Sequence, residues 1–457
     1  MKHSKILTML MLLLIAFLLT KPAMAAPLNF PHAPIASLES GGKPNILFIL
    51  DDSASMLYNY MPEWVGKAPI CERPGKSCST IDPDNNLSVC ACSNTDAVFK
   101  SSDFNTLYYN PKFLYLPARN ADSSSKMSMT SANTTGWTKV PNDAYGVIVN
   151  DDYNKNRSST TNLAAGGFAA SYTIMSPKEY CSDIHLTACE FQLDGPTLAY
   201  PHPAYVRFCQ TLDQATSARE PGNVCQATVQ HPHMTAFTRY PGRGDVPGSL
   251  TTIKIEPGKS YTKFPLRKDC LGSSCSYDEE MTNYANWWAY YRTRLQTMKT
   301  STSLAFASLD DNYRVGFNVI NNDELVESKE SFAGSGANKF LNVGDFDTSH
   351  KQQFYDRLFK THPAYDGRLA ATNRTYTDKY NHTPLRASIS HAGRYFAKKI
   401  NNQKFDPMQN ACQANFSILS TDGSWNTNDE INQFGPYGLI DDPTKKNLQQ
   451  LGTWMMA

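Results

Sequence analysis

The chain has 457 residues, of which 41% are apolar and 19% charged, with 27 Pro and 25 Gly. It can bury a core, and at about 100–200 residues per domain it holds roughly two or three domains. Its 43 basic residues nearly match its 42 acidic ones, and without Lys2, Lys5 and Lys21 the balance turns slightly acidic, which argues against a nucleic-acid-binding surface as the main function.

Residues 1–25 open with Lys2, His3 and Lys5, continue as an apolar run from Ile6 to Leu19, and reach Ala23-Met24-Ala25 before Ala26. This order predicts a secretory signal peptide, because the apolar run is shorter than the ~20 residues that span a bilayer. Eleven cysteines in an exported chain predict disulfides. Cys71, Cys78, Cys90, Cys92, Cys181, Cys189, Cys209, Cys225, Cys270 and Cys275 cluster, whereas Cys412 stands apart and is expected to stay unpaired in this chain or to seek an intermolecular partner. Zinc is the weaker reading: Cys90-Ala91-Cys92 is too tight and Cys71/Cys78 too wide for paired knuckles.

Residues 26–42, rich in Pro, Ala, Ser and Gly, read as a linker. Asn45-Ile46-Leu47-Phe48-Ile49-Leu50 is too short for a helix and almost wholly apolar, which suits a strand buried on both faces. From 61 to 280 periodicity disappears among Ser, Thr, Asn, Pro and Cys, which predicts a loop-rich insert stapled by disulfides. Tyr284, Trp287, Trp288, Tyr291, Leu295 and Met298 then follow helical spacing, an aromatic face expected to pack on a sheet. Val315, Phe317 and Val319-Ile320 predict a strand, and Phe354, Leu358 and Phe359 a helix behind the caps Asp347 and Thr348. Thr383-Pro384 opens another helix, with Thr383 as N-cap and Leu385, Ile389 and Phe396 on one face. Phe416–Leu419 reads as a strand ending at Ser420-Thr421-Asp422-Gly423. Strands alternating with helices predict an α/β fold, a parallel sheet with helices on both faces, formed by residues 43–60 and 281–457 around the insert at 61–280.

Asp51-Asp52-Ser53-Ala54-Ser55 follows directly on the first strand, at the carboxyl end where open α/β sheets place ligands. The spacing Asp51-x-Ser53-x-Ser55 lets one carboxylate and two hydroxyls converge on a hard cation, for which Mg²⁺ needs oxygen ligands and retains some water. Thr383, heading a helix, and Asp422, ending a strand, are expected at the same sheet edge. Asp51, Ser53, Ser55, Thr383 and Asp422 therefore form the three-part set of a metal-ion-dependent adhesion site, for Mg²⁺ or for Mn²⁺ or Ca²⁺, poised to take a carboxylate from a partner.

Through Asn45–Ser55, Thr383-Pro384-Leu385-Arg386 and Ile418–Gly423 the chain resembles the von Willebrand factor A domain. More narrowly, the leader, the segment from Ile46 to Met56, the Cys-containing insert, Asn105–Pro111, and the segments around Thr383–Phe396 and Asn415–Asn426 are similar to PilY-type proteins, the type IV pilus-associated adhesin and assembly factors. The resemblance implies export through the inner membrane to the periplasm, outer-membrane surface or pilus tip. It also implies partnership with pilus subunits or minor pilins, and adhesion to a surface or host-cell ligand without catalytic turnover. It further implies a continuation beyond Asp422 into more of the sheet and a β-propeller, so a truncated, non-functional remnant is a competing expectation.

A rival of another class is a metal-assisted phosphohydrolase with Asp51 as nucleophile, but the position two residues on, where such loops carry a general acid, is Ser53. Asp82-Pro83-Asp84-Asn85-Asn86 departs from a calcium loop at Leu87 and Ser93 and reads as a turn. Arg243-Gly244-Asp245 reads as an exposed turn, and His231 and His233 as loop residues. Nothing matches a zinc-protease, serine-hydrolase or P-loop motif.

Overall fold

A six-residue apolar segment loses least by having no water on either side, and Asn45–Leu50 forms such a strand, β1, with all six residues buried. The computed structural model describes residues 42–62, 64–67, 80–81, 88–89, 96–146, 160–164, 170–220, 224–228, 237–322, 339–362, 383–400 and 403–423. Around β1 they form α1 (Tyr277–Tyr290), α2 (Arg294–Phe306), β2 (Arg314–Val319), β3 (Leu341–Asp345), α3 (Thr348–Lys360), α4 (Leu385–Phe396) and β4 (Asn415–Ser420). The leader, Cys71, Cys78, Cys90, Cys92, the segment 82–87, His231 and His233 lie outside the described residues.

The four strands make one mixed sheet in the order β3-β2-β1-β4. β1 pairs in parallel with β2, Leu50 opposite Val319, and with β4, Leu50 opposite Ser420. β3 runs antiparallel to β2 with a register shift between Val315 and Phe317, so the sheet is not wholly parallel. Gly316 sits at that irregularity because a Cβ there would meet Leu341 O and Val343 Cγ2, both at 2.9 Å.

Alternation along β1 divides the core. Ile46, Phe48 and Leu50 face a cluster with Leu295 and Phe306 of α2 and Phe354 and Leu358 of α3, while Leu47 and Ile49 face Leu385, Ala392 and Tyr395 of α4. Helices thus cover both faces. The amino end of the sheet is closed by polar bonds: Arg314 Nη1 donates to Asn45 Oδ1 and to Pro407 O, each at 2.7 Å, and Asn45 Nδ2 donates to Asn415 Oδ1 at 2.8 Å. At α3 the expected cap holds, with Asp347 accepting from His350 N at 2.8 Å. At α4 the helix starts at Leu385, so the N-cap position falls on Pro384, whose side chain caps nothing.

The aromatic face after residue 280 departs from the single helix expected. It breaks between α1 and α2, where Thr293 and Gln296 form a reciprocal capping box. Tyr284, Trp287 and Trp288 of α1 pack into the insert, in a cluster with Tyr108, Tyr109, Trp137, Tyr172 and Tyr261, rather than onto the sheet. The insert also holds more strand than its composition signals: Ser171–Pro177 pairs antiparallel with Gly248–Lys254. Among the described residues three disulfides close short loops, Cys181–Cys189, Cys209–Cys225 and Cys270–Cys275, and Cys412 is free and exposed. Among the described residues no helix is long and apolar enough to cross a membrane.

A buried ionic knot joins α1 to the insert. Arg267 Nη1 lies 2.6 Å from Glu280 Oε2, with both side chains fully buried, and Tyr109 donates to Glu280 Oε1 at 2.8 Å. Arg267→Met leaves Glu280 without its counter-charge and should cost about 3–5 kcal/mol, read as a fall in the urea midpoint.

Lys299 of α2 is buried, donates to Phe359 O at 2.8 Å and has its ammonium 5.0 Å from the Tyr145 ring centre. Burial lowers its pKa to about 8. An unfolded lysine holds its proton to about pH 10.4, so between these values the unfolded chain binds more protons and this group makes folding more favourable as pH rises. Replacing it, Lys299→Met, should flatten that rise, measured as urea midpoints at pH 7, 9 and 10.

Candidate site at the carboxyl end of the central strand

Asp51 leaves β1 with its backbone still in the ladder, its N–H donating to Ser420 O at 2.9 Å. Its carboxylate is held at both oxygens: Ser53 N donates to Oδ1 at 2.8 Å, and Thr421 Oγ1 donates to Oδ2 at 2.7 Å. Ser53 then leads into a single 3-10 turn, Ala54–Leu57, anchored by Met56 in the core. Ser53 Oγ does not cap that turn; it shares a hydrogen bond of 3.0 Å with Ser55 Oγ. Adjacent ligands of an octahedral ion with bonds of about 2.1 Å sit about 3.0 Å apart, so the hydroxyl pair has the spacing of two neighbouring ligands. One carboxylate and two hydroxyls are also the hard oxygens that Mg²⁺ or Mn²⁺ takes. On these two grounds the residues fit such an ion.

Asp51 is buried, and desolvation pushes its carboxyl up to about 6 against the bonds from Ser53 and Thr421, with the charge of Asp422 pushing the same way. Asp52 is buried too but points elsewhere. Its Oδ1 accepts from Asn321 N and Asn321 Nδ2, each at 3.0 Å, tying the end of β1 to the end of β2. Among the described residues its Oδ2 has no hydrogen-bond partner, and burial raises its carboxyl against the charge of Lys339.

Of the five expected residues, Asp51, Ser53 and Ser55 are brought together directly. Asp422 lies in the neighbouring loop after β4, where Oδ2 is 2.6 Å from Arg294 Nη1. Thr383 is buried ahead of α4, its carbonyl accepting from Leu385 N at 2.9 Å. Two participants carry no signal that spacing alone reveals. Thr421 sits inside the expected turn but acts as the donor to Asp51, and Arg294 meets Asp422 across 128 positions of sequence. Among the described residues no group of three or more His, Cys, Asp or Glu side chains could hold a metal ion. The turn at Arg243-Gly244-Asp245 is only partly exposed: Arg243 is buried, donating to Thr238 O and, at 3.0 Å, to Thr238 Oγ1.

The chain is similar to the type IV pilus biogenesis factor PilY1 of Pseudomonas aeruginosa. It is 23% identical over 406 residues to that of strain UCBPP-PA14 and 24% over 412 residues to that of strain PAK, in each case 88% of this chain. Against a third strain the identity is 32% over 162 residues, 34% of this chain and 12% of the relative. The chain spans about a quarter of the length of the first two relatives, at 25% of each. No family model matches, and no solved structure matches.

Thr421→Val removes the donor from a buried carboxylate oxygen. The variant should lose about 1–3 kcal/mol of stability, and an unchanged urea midpoint would show that Asp51 Oδ2 does not depend on that hydroxyl.

Proposed function

We propose that the chain acts in type IV pilus biogenesis and adhesion, through a von Willebrand factor A-like layer with a metal-ion-dependent adhesion site. The similarity to PilY1 supports the first half of this reading. The second is carried by the 3.0 Å approach of Ser53 Oγ and Ser55 Oγ in front of the anchored Asp51 carboxylate. In this reading the chain is exported and partners pilus subunits, and the site faces a surface or host-cell ligand.

Ser53 and Ser55 would hold Mg²⁺ or Mn²⁺ directly, with Asp51, Thr383 and Asp422 ligating directly or through water. When bound, the ion supplies an electron-poor centre that a partner's carboxylate completes. Asp51 contributes charge while its two oxygens stay fixed by Ser53 N and Thr421 Oγ1, so the loop keeps one orientation. That fixation disfavours the phosphohydrolase reading, because a nucleophilic carboxylate needs an oxygen aimed at substrate.

Calorimetry with Mg²⁺ and Mn²⁺ tests the site. Ser53→Ala and Asp51→Ala should each weaken binding by at least about tenfold, whereas Asp52→Asn should change it little, since Asp52 serves Asn321. Equal loss in Asp51→Ala and Asp52→Asn would mean that the wrong carboxylate has been assigned. In the cell, Ser53→Ala introduced into the chromosomal copy should reduce surface adhesion. Adhesion and piliation equal to wild type would separate the metal site from the pilus role, and phosphate release from a generic phosphomonoester would favour the rival.

A further inference from the structure

Arg294 brings a guanidinium to the acid of the candidate site. Its Nη1 lies 2.6 Å from Asp422 Oδ2, with the two side chains only 3% and 6% exposed. It has other support: Nε donates to Tyr60 O at 2.8 Å, and its guanidinium carbon lies 5.3 and 5.2 Å from the ring centres of Tyr58 and Tyr60. Those two rings stack at 5.0 Å, and Arg294 N donates to Tyr58 O at 3.1 Å. Aromatic faces attract a cation, so the guanidinium has a place to rest whether or not it keeps its carboxylate.

Asp422 is therefore shared ground. It lies near enough to Asp51 for the two carboxylates to repel each other, which is the setting in which a cation binds, and a protein cation is already there. We propose that Arg294 is the resident counter-ion of this site and competes with a divalent cation for Asp422, so that direct ligation by Asp422 and the Arg294–Asp422 pair exclude one another. Two cations cannot share one carboxylate closely without strong repulsion in a site this dry. The inference rests on the metal-site reading and adds its regulation.

The position of Arg294 gives the exchange a consequence beyond the site. Arg294 is the first residue of α2, separated by three residues from the end of α1, whose aromatic face belongs to the insert core. Tyr58 and Tyr60 lead into Met61, whose N–H donates to Asn105 Oδ1 of the insert at 3.0 Å. Release of Asp422 would be felt by both links to the insert. Arg294 is a positioning residue that sets cation affinity and reports occupancy.

Calorimetry with Mg²⁺ on the wild type, Asp51→Ala, Arg294→Gln and Arg294→Gln/Asp51→Ala tests this. Arg294→Gln should tighten binding on the order of tenfold, a gain that a merely structural role would not produce, and Asp51→Ala should abolish the gain. Wild-type binding that depends on Asp51 but is unchanged or weaker in Arg294→Gln overturns the inference and leaves the site reading standing. Binding as tight in the double variant as in Arg294→Gln places the ion elsewhere and overturns the site reading. No binding in either the wild type or Arg294→Gln overturns both. Should Arg294→Gln fail to fold, the arginine Nε–Hε resonances of the wild type decide: the Arg294 signal, assigned with Arg294→Lys, should shift on Mg²⁺ titration, and a signal unmoved at high Mg²⁺ overturns the competition.

Discussion

Burial of β1 on both faces and along both edges is the constraint on which the remaining architecture depends. Ile46, Phe48 and Leu50 need one apolar layer and Leu47 and Ile49 another, so helices must cover the sheet on two sides, and the backbone groups of β1 must find a strand on each edge. β2 and β4 supply those edges although they are distant in sequence. A chain obeying these demands has little freedom in where β1 ends. The residue after Leu50 emerges between two neighbouring strand ends, and there Asp51 is surrounded by Ser420, Thr421 and the turn at Ser53.

The two ends of the sheet solve opposite problems. At the amino end, Asn45, Arg314 and Asn415 satisfy one another closely, and that end is a lock. The carboxyl end gathers Asp51, Asp52 and Asp422, three acids of which two are raised by burial. Such an accumulation of desolvated oxygen costs stability and is expected where a ligand or counter-ion compensates it. Arg294 compensates one acid, the charge of Lys339 and the bonds from Asn321 another, and Asp51 is left with neutral donors. The site reading and the competition inferred for Arg294 are two consequences of that uneven compensation.

The insert is bound to this layer through its own chemistry. α1 gives its aromatic face and Glu280 to the insert, while α2, after a break of three residues, gives Leu295 and Phe306 to the sheet. The helical pair thus links two cores rather than extending either. Arg267, Tyr109 and Glu280 fix one side of it, and Arg294 with Tyr58 and Tyr60 fixes the other.

Apolar runs marked β1, β2 and β4, and runs behind capping residues marked α3 and the approximate start of α4, because each is a local pattern; burial follows the pattern in β1 and β2, whereas Phe416 and Ile418 of β4 stay exposed. The convergence of Asp51, Ser53 and Ser55 was legible for the same reason, since a spacing of two residues in one turn leaves the oxygens little room to part. Tertiary structure alone decided what lies across long sequence distances. β3 is too short and too mixed in Leu341–Asp345 to announce itself, and it exists because β2 has an edge to fill. The aromatic face of α1 was visible as a face, but its partner was decided by the insert, whose Tyr108, Tyr109 and Tyr172 share one core with it, while the sheet fills its own core with Phe48, Phe306, Phe317 and Phe354. Arg294 and Thr421 became part of the site through ion pairing and hydrogen bonding, which depend on where the fold delivers a side chain and leave no period in the sequence.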